Sequence, residues 1–366
     1  MSNSMGTMFR ITSFGESHGT CVGVVVDGCP AGLEMGVDDV QPELDRRRPG
    51  QSDVSTSRRE EDRVELLSGV FKGRTTGAPI CMLVWNRDRD SSGYERRRLT
   101  PRPGHADWTA HVRYGGFNDY RGGGRFSGRI TAGFVMAGAI AKKLLMETLS
   151  VEVLAHTVEI GGIQARKLDP SEICMNREES PLRCGDPEAS ERMVQALKAA
   201  SSQGDSLGGA VSCVALNVPL GLGAPVFDTL EGDIAKALFA IPAVKAVEFG
   251  LGTGFSSIRG SESNDAFTVK GGEIATETNR MGGVLGGISS GAPITCRVTF
   301  KPTPSIGGAQ RTVNISTMEE TTIAIEGRHD PCVVPRAVPV VESMVAIALA
   351  DHAMRSGLIR SVLEEG

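Results

Sequence analysis

The chain has 366 residues, 40% apolar and 23% charged, with a net charge of −5. That balance excludes a disordered or fibrous protein and gives enough chain for one large folded domain, residues 1–366. Glycine occupies 46 positions without a collagen-like period, so tight turns and close backbone approaches are expected on the working surface.

The eight cysteines never stand closer than eight positions apart, and no Cys-x-x-Cys pair exists for metal binding or redox exchange. A reduced, cytoplasmic protein with unpaired thiols and no metal is expected. Met1 to Phe9 lacks a basic segment followed by an apolar run. The apolar stretch Ala132 to Ala141 stops at Lys142-Lys143, about half the length of a membrane span, so no membrane association is expected. The charge is unevenly placed. From Arg46 to Arg129 there are seventeen Arg and one Lys against ten Asp and Glu, a balance of +8 that leaves −13 for the remainder. Guanidinium is a planar fork suited to carboxylate and phosphate, so this bias implies a polyanionic small molecule or a nucleic acid as ligand.

In chain order, β-branched runs bounded by Gly or Pro predict strands at Val22 to Asp27, Ile80 to Trp85, Gly209 to Val218, Ala243 to Phe249 and Ile294 to Phe300. Helices are predicted at Thr131 to Leu149, Pro187 to Ser202, Thr229 to Ala240 and Pro339 to Arg355. The first and last are apolar nearly all round, which suits burial on most faces. A single α+β body with buried helices is expected.

Four stretches carry residues suited to chemistry. Gly15-Glu16-Ser17-His18-Gly19 places a hydroxyl and an imidazole on a sharp turn, and His titrates near neutrality. Asp45-Arg46-Arg47-Arg48-Pro49-Gly50-Gln51, with Arg58-Arg59 beyond it, needs acidic neighbours such as Glu60, Glu61 and Asp62, or a bound anion, to be ordered. Arg102-Pro103-Gly104-His105-Ala106-Asp107 is followed by Tyr120-Arg121-Gly122-Gly123-Gly124-Arg125-Phe126-Ser127-Gly128-Arg129, which feeds the helix at Thr131. Exposed backbone N–H groups and a helix dipole make such a loop an anion cradle. Neither the P-loop nor the dinucleotide fingerprint is present. The last stretch comprises Met281 to Gly291 with its paired glycines, Lys301-Pro302-Thr303-Pro304-Ser305, Gly327-Arg328-His329-Asp330-Pro331-Cys332, and Pro335-Arg336. Taken together, Gly for close approach, Arg for anions and His or Asp for proton transfer argue for one site holding several negative charges.

With these motifs in order, the whole chain resembles the chorismate synthase family. The resemblance implies a lyase of the shikimate pathway that converts 5-enolpyruvylshikimate 3-phosphate to chorismate and phosphate. The reaction is a 1,4-anti elimination that requires reduced FMN without net redox change. It implies His18, His105, Asp330 and Ser17 as catalytic residues, with Asp330 and Ser17 supporting proton transfer at the flavin. It implies FMN contacts at Arg125, Phe126, Ser127, Pro242, Ala243, Gly286, Lys301, Pro302, Thr303, Pro304, Ser305 and Arg328. Arg47 falls on a position tied to nucleotide binding, with NADPH as a reductant, and Arg48, Arg129 and Arg336 are assigned to substrate anions. The implied fold sandwiches long helices between antiparallel β-sheets and assembles as a homotetramer. Departures from the common family pattern are Asp53, Phe126, Gly128, Ile130 and Pro242. No role falls on His111, His156, His329 or His352. The competing readings are a nucleic-acid-binding module, which the 5% aromatic content argues against, and a flavin oxidoreductase with net hydride transfer.

Overall fold

Two apolar helices, Thr131–Leu149 and Val334–Arg355, pack against each other at the centre of the protein. The computed structural model describes residues 3–50, 60–88, 90–325 and 330–364. From Thr131 to Ala141 every residue of the first helix is buried, and in the second burial runs from Ala337 to Met354 without a break. Met136, Ile140, Leu144 and Leu145 lose essentially all contact with water, each worth roughly 1.5–3 kcal/mol. Gly138 permits the close crossing: a Cβ there would sit 2.2 Å from the Cβ of Ser343 on the opposing helix.

Each helix covers one sheet. Thr131–Leu149 lies against a five-stranded antiparallel sheet ordered Ser4–Met5, Arg10–Gly15, Cys21–Asp27, Ile80–Trp85, Glu65–Leu66. Val334–Arg355 lies against a second antiparallel sheet ordered Val244–Phe249, Ile294–Phe300, Gly209–Leu216, Glu152–Ile160, Ile163–Gln164. Register pairs Val24 with Met82 in the first and Cys213 with Cys296 in the second. Two shorter helices, Val37–Arg47 and Leu230–Phe239, flank the central pair. The result is the expected α+β sandwich of helices between antiparallel sheets.

Most predicted elements appear with their ends shifted by a residue or two. The last helix begins five residues earlier than expected because Pro335 falls in its first turn, where a missing N–H costs nothing. Among the described residues, Val334–Arg355, with a window of mean hydropathy 1.4, is long and apolar enough to suit a bilayer, and that window is entirely buried inside the protein. It is a core helix.

One charge cluster lies inside the sandwich. Glu342, fully buried on the last helix, accepts from Arg46 at 2.6 Å, Arg177 at 2.5 Å, Lys142 at 3.2 Å and the Ala155 amide at 3.0 Å. Burial alone would raise its pKa, but the surrounding cations hold the carboxyl well below the usual range. Through Arg46 the cluster anchors the C-terminal turn of Val37–Arg47, and so the residue that follows it, Arg47.

Candidate active site

A cleft of about 850 Å³ opens beside the N-terminus of the Thr131–Leu149 helix, and all four sequence stretches reach it. Its inner wall is cationic. Arg47 is 2% exposed; its Nη1 pairs with Asp62 at 3.1 Å, its Nε donates to Thr131 Oγ1 at 3.2 Å and its Nη2 to the Gly128 carbonyl at 2.9 Å. Arg129 pairs with the same Asp62 and donates to Asn86 Oδ1 at 2.8 Å. Arg336 pairs with Asp330 and donates to the Arg47 carbonyl at 3.2 Å. Burial, and after it the positive charge of Arg336, push the Arg47 guanidinium down to about 9 despite Asp62. This wall carries more positive charge than its own carboxylates neutralise, as a site for a polyanion requires.

Both histidines pack against the triple-glycine loop, His18 at Gly122 and His105 at Gly123. His18 is buried, its Nδ1 lies 2.9 Å from Ser91 Oγ, and its ring stands edge-on to Tyr94 at 5.2 Å. Gly122 and Gly123 have φ of +59° and +79°. A Cβ on Gly122 would lie 2.1 Å from His18 Cδ2 and 2.9 Å from Ser17 Oγ, and one on Gly123 would lie 3.1 Å from His105 Nε2. Glycine is therefore required there both for its left-handed backbone and for the space the two imidazoles occupy. Ser17, itself buried, is tied to this loop by a 3.3 Å hydrogen bond from its amide to the Gly124 carbonyl.

Opposite lies a wall of mixed polarity. Arg125 spans from the loop to the Gly15 carbonyl at 2.9 Å and to Ser13, and the ring of Phe126 is 37% exposed. Ser127 Oγ accepts from the Arg129 amide at 3.2 Å, capping the turn that leads into the long helix. Pro242 and Ala243 meet the Lys301–Ser305 segment where the Lys301 amide donates to the Ala243 carbonyl at 2.9 Å. Ala243 holds φ +73°, a strained conformation for a residue with a Cβ, of the kind that persists at functional sites. Lys301 Nζ reaches the Gly104 carbonyl, and Arg102 Nη1 donates to Ser305 Oγ at 3.1 Å. Thr303 Oγ1 is buried on this wall with no hydrogen-bond partner among the described residues, a polar atom left for a ligand.

Of the expected site residues, Ser17, His18, Arg47, His105, Arg125, Phe126, Ser127, Arg129, Pro242, Ala243, Lys301, Thr303, Pro304, Ser305, Asp330 and Arg336 line the cleft. Three others do not. Arg48 follows the last turn of Val37–Arg47 with its side chain 44% exposed, 3.8 Å from Asp45. Pro302 lies between two lining residues without lining the cleft itself. Gly286 sits in a hairpin turn that packs on Thr229 at the start of Leu230–Phe239, whereas the cleft meets Phe239 at the other end of that helix, roughly 15 Å away at 1.5 Å per residue. Arg328 and Asp53, with Arg58, Arg59 and His329, lie outside the described residues. Asp330 pairs with Arg336. Sequence reasoning offered Asp62 as one acidic neighbour of the arginine cluster, and it does pair with Arg47; it gave no role to Arg102, Asp107 or Tyr94. Asp62 and Asp107 stood within motifs already singled out, but nothing in their spacing says which arginine each would face.

The sequence matches the chorismate synthase family over residues 9–354. The chain belongs to the chorismate synthase family. It is 58% identical to a chorismate synthase of Dehalococcoides mccartyi over 100% of both chains. It is 55% identical to that of Methanosarcina barkeri over 99% of each, and 55% identical to that of Methanopyrus kandleri over 98% of this chain and 94% of the relative. Among solved structures, one titled "Crystal Structure of Chorismate Synthase" superposes with a TM-score of 0.75 at 29% identity, covering 96% of this chain and 93% of the other. Membership in this family of carbon–oxygen lyases implies a reduced flavin requirement, and the orphaned Thr303 hydroxyl, the exposed Phe126 ring and the cationic wall fit such a group beside an anionic substrate.

Proposed function

We propose that the cleft removes phosphate from 5-enolpyruvylshikimate 3-phosphate by 1,4-anti elimination to give chorismate, as a step of the shikimate pathway toward aromatic amino acids. The observation that carries this reading is the Arg47–Arg129–Arg336 wall, where burial and after it the charge of Arg336 depress Arg47. It suits a ligand bearing two carboxylates and a phosphate. In the elimination the carbon–oxygen bond to phosphate breaks, a ring proton leaves, and a new carbon–carbon double bond forms. Reduced FMN, when bound, supplies transient electron donation and a proton acceptor.

Arg129 and Arg336 hold the substrate's anions and stabilise charge on the departing phosphate. Arg47, whose three guanidinium nitrogens donate to Thr131, Asp62 and the Gly128 carbonyl, adds positive charge beside them. His18 and His105, packed on Gly122 and Gly123 of the triple-glycine loop, are the acid–base pair: one protonates the leaving phosphate and the other governs protonation at the cofactor. Ser17 and Asp330 serve the proton path. Arg125, Phe126, Ser127, Pro242, Ala243, Lys301, Thr303, Pro304 and Ser305 cradle the FMN. NADPH is the reductant this reading allows. We further assign a homotetramer of single-domain chains in the cytoplasm, acting on a small molecule and not on nucleic acid or membrane.

The test is an anaerobic assay with chemically reduced FMN and 5-enolpyruvylshikimate 3-phosphate, following chorismate and phosphate. Many turnovers per flavin are expected. Product that stops at one equivalent of flavin would overturn the elimination and favour net hydride transfer. NADPH oxidation in a parallel reaction reads whether the chain reduces its own flavin.

A further inference from the structure

We infer that Asp107 is a positioning residue for His105: held by Arg102, it fixes the imidazole as the Nδ1–H tautomer and leaves Nε2 as the atom presented to the cleft. The inference rests on the reading of His105 as an acid–base group and goes beyond it by naming what sets its protonation geometry.

Asp107 is the first residue of the short Asp107–Arg113 helix, and both its oxygens are engaged. Oδ1 lies 2.7 Å from His105 Nδ1 and accepts from Arg102 Nη2 at 2.8 Å. Oδ2 accepts from Arg102 Nε at 2.8 Å and from the Arg102 amide at 3.0 Å. Burial works to raise the Asp107 carboxyl, but these hydrogen bonds from Arg102 and His105 hold it well below the usual carboxylate range. An ionised carboxylate accepts hydrogen bonds and cannot donate one. The proton between Asp107 and His105 therefore belongs to Nδ1, and Nε2 carries the lone pair in the neutral ring. That second nitrogen faces Gly123, where the missing side chain leaves it room.

Arg102 adds a second function to the unit. Its Nη2 lies 3.0 and 3.2 Å from the two ring nitrogens of His105, a near-equal approach that sets the guanidinium over the ring, while Nη1 reaches Ser305. The Arg102–Asp107 pair is thus a strut between the imidazole and the Lys301–Ser305 wall.

An amide at position 107 can donate to Nδ1 as well as accept from it, so it no longer selects the tautomer. For Asp107→Asn we expect kcat to fall by roughly 10²-fold or more, the scale of a mis-set general acid or base, with KM within about threefold. In ¹⁵N-histidine spectra, the His105 signal, assigned by its loss in His105→Ala, should report Nδ1–H in the unaltered enzyme and mixed or Nε2–H character in Asp107→Asn. Asp107→Glu should restore part of kcat. A native Nε2–H tautomer would overturn the proposal, and this measurement does not depend on any variant of Asp107 folding. So would an Asp107→Asn enzyme whose kcat is normal while KM rises. If His105→Ala itself turns over normally, the reading of His105 has failed. If His105→Ala is slow and Asp107→Asn is not, the positioning role alone has failed.

Discussion

Gly122→Ala separates backbone strain from catalytic displacement. At φ +59° an alanine costs about 1–2 kcal/mol. The larger effect is steric. The new methyl would lie 2.1 Å from His18 Cδ2 and 2.5 Å from Nε2, so the ring must retreat by about 1.3 Å to reach an ordinary 3.4 Å contact. Its Nδ1 contact with Ser91 Oγ at 2.9 Å and its edge contact with the Tyr94 ring must both change as it moves. A misplacement of about 1 Å costs about 10²-fold in rate. Gly123→Ala is the matched control: φ is +79°, but His105 lies 3.1 Å from the new methyl and needs to yield only a few tenths of an ångström. Denaturant unfolding should show Gly123→Ala destabilised by about 1–2 kcal/mol and Gly122→Ala by more, since displacing His18 adds overpacking strain. Anaerobic turnover with reduced FMN should fall by about 10²-fold or more in Gly122→Ala and by only a few-fold in Gly123→Ala. Equal losses in the two, or a Gly122→Ala enzyme within threefold of normal, would refute the argument that this glycine exists to seat His18.

Other outcomes follow from the same geometry. Arg336→Lys keeps the charge but loses the planar fork, and should weaken binding of the phosphorylated substrate by roughly 10- to 100-fold in equilibrium titration; an unchanged Kd would place Arg336 outside the anion site. Asp330→Asn should leave FMN and substrate affinity in place and slow the chemical step in single-turnover kinetics, whereas a normal rate with poor FMN retention would reduce Asp330 to a partner of Arg336. Glu342→Gln leaves Arg46, Arg177 and Lys142 without their shared buried anion and should cost about 3–5 kcal/mol in unfolding free energy; a loss under 1 kcal/mol would contradict it. Burial, and then the charge of Arg177, push His156 down to about 4 from 6.5. The unfolded chain binds the extra proton within that window, so stability is full above pH 6.5 and declines as pH falls toward 4, by about 3 kcal/mol at most. His156→Gln should flatten that slope, and an unaltered slope would assign it to other groups.

Local signals in the sequence were strong where one physical cause acted alone. Ile80–Trp85, Ile294–Phe300 and Thr131–Leu149 have the bounds that their apolar runs predict, because β-branched or all-round apolar composition and a flanking Gly, Pro or Ser decide them locally. Val37–Arg47 escaped because Pro42 interrupts it, and Glu152–Ile160 because Glu152, His156 and Glu159 break its apolar pattern; packing against the central helices overrides both. Residue chemistry also announced a polyanion site and nominated most of the side chains that reach the cleft. What sequence supplied only in part is partnership, since it offered Asp62 as one of three acidic neighbours without saying which arginines it faces. Asp62 serves Arg47 and Arg129, Asp107 turns toward His105, and Glu342 gathers cations from three other elements. Such pairings join residues up to 296 positions apart and follow from strand order and helix crossing. By the same logic Gly286, attractive for its paired glycines, is held at the far end of a helix from the cleft. Composition determines which groups are available to an anion, and only the packing of the two sheets about the central helices determines which of them face it.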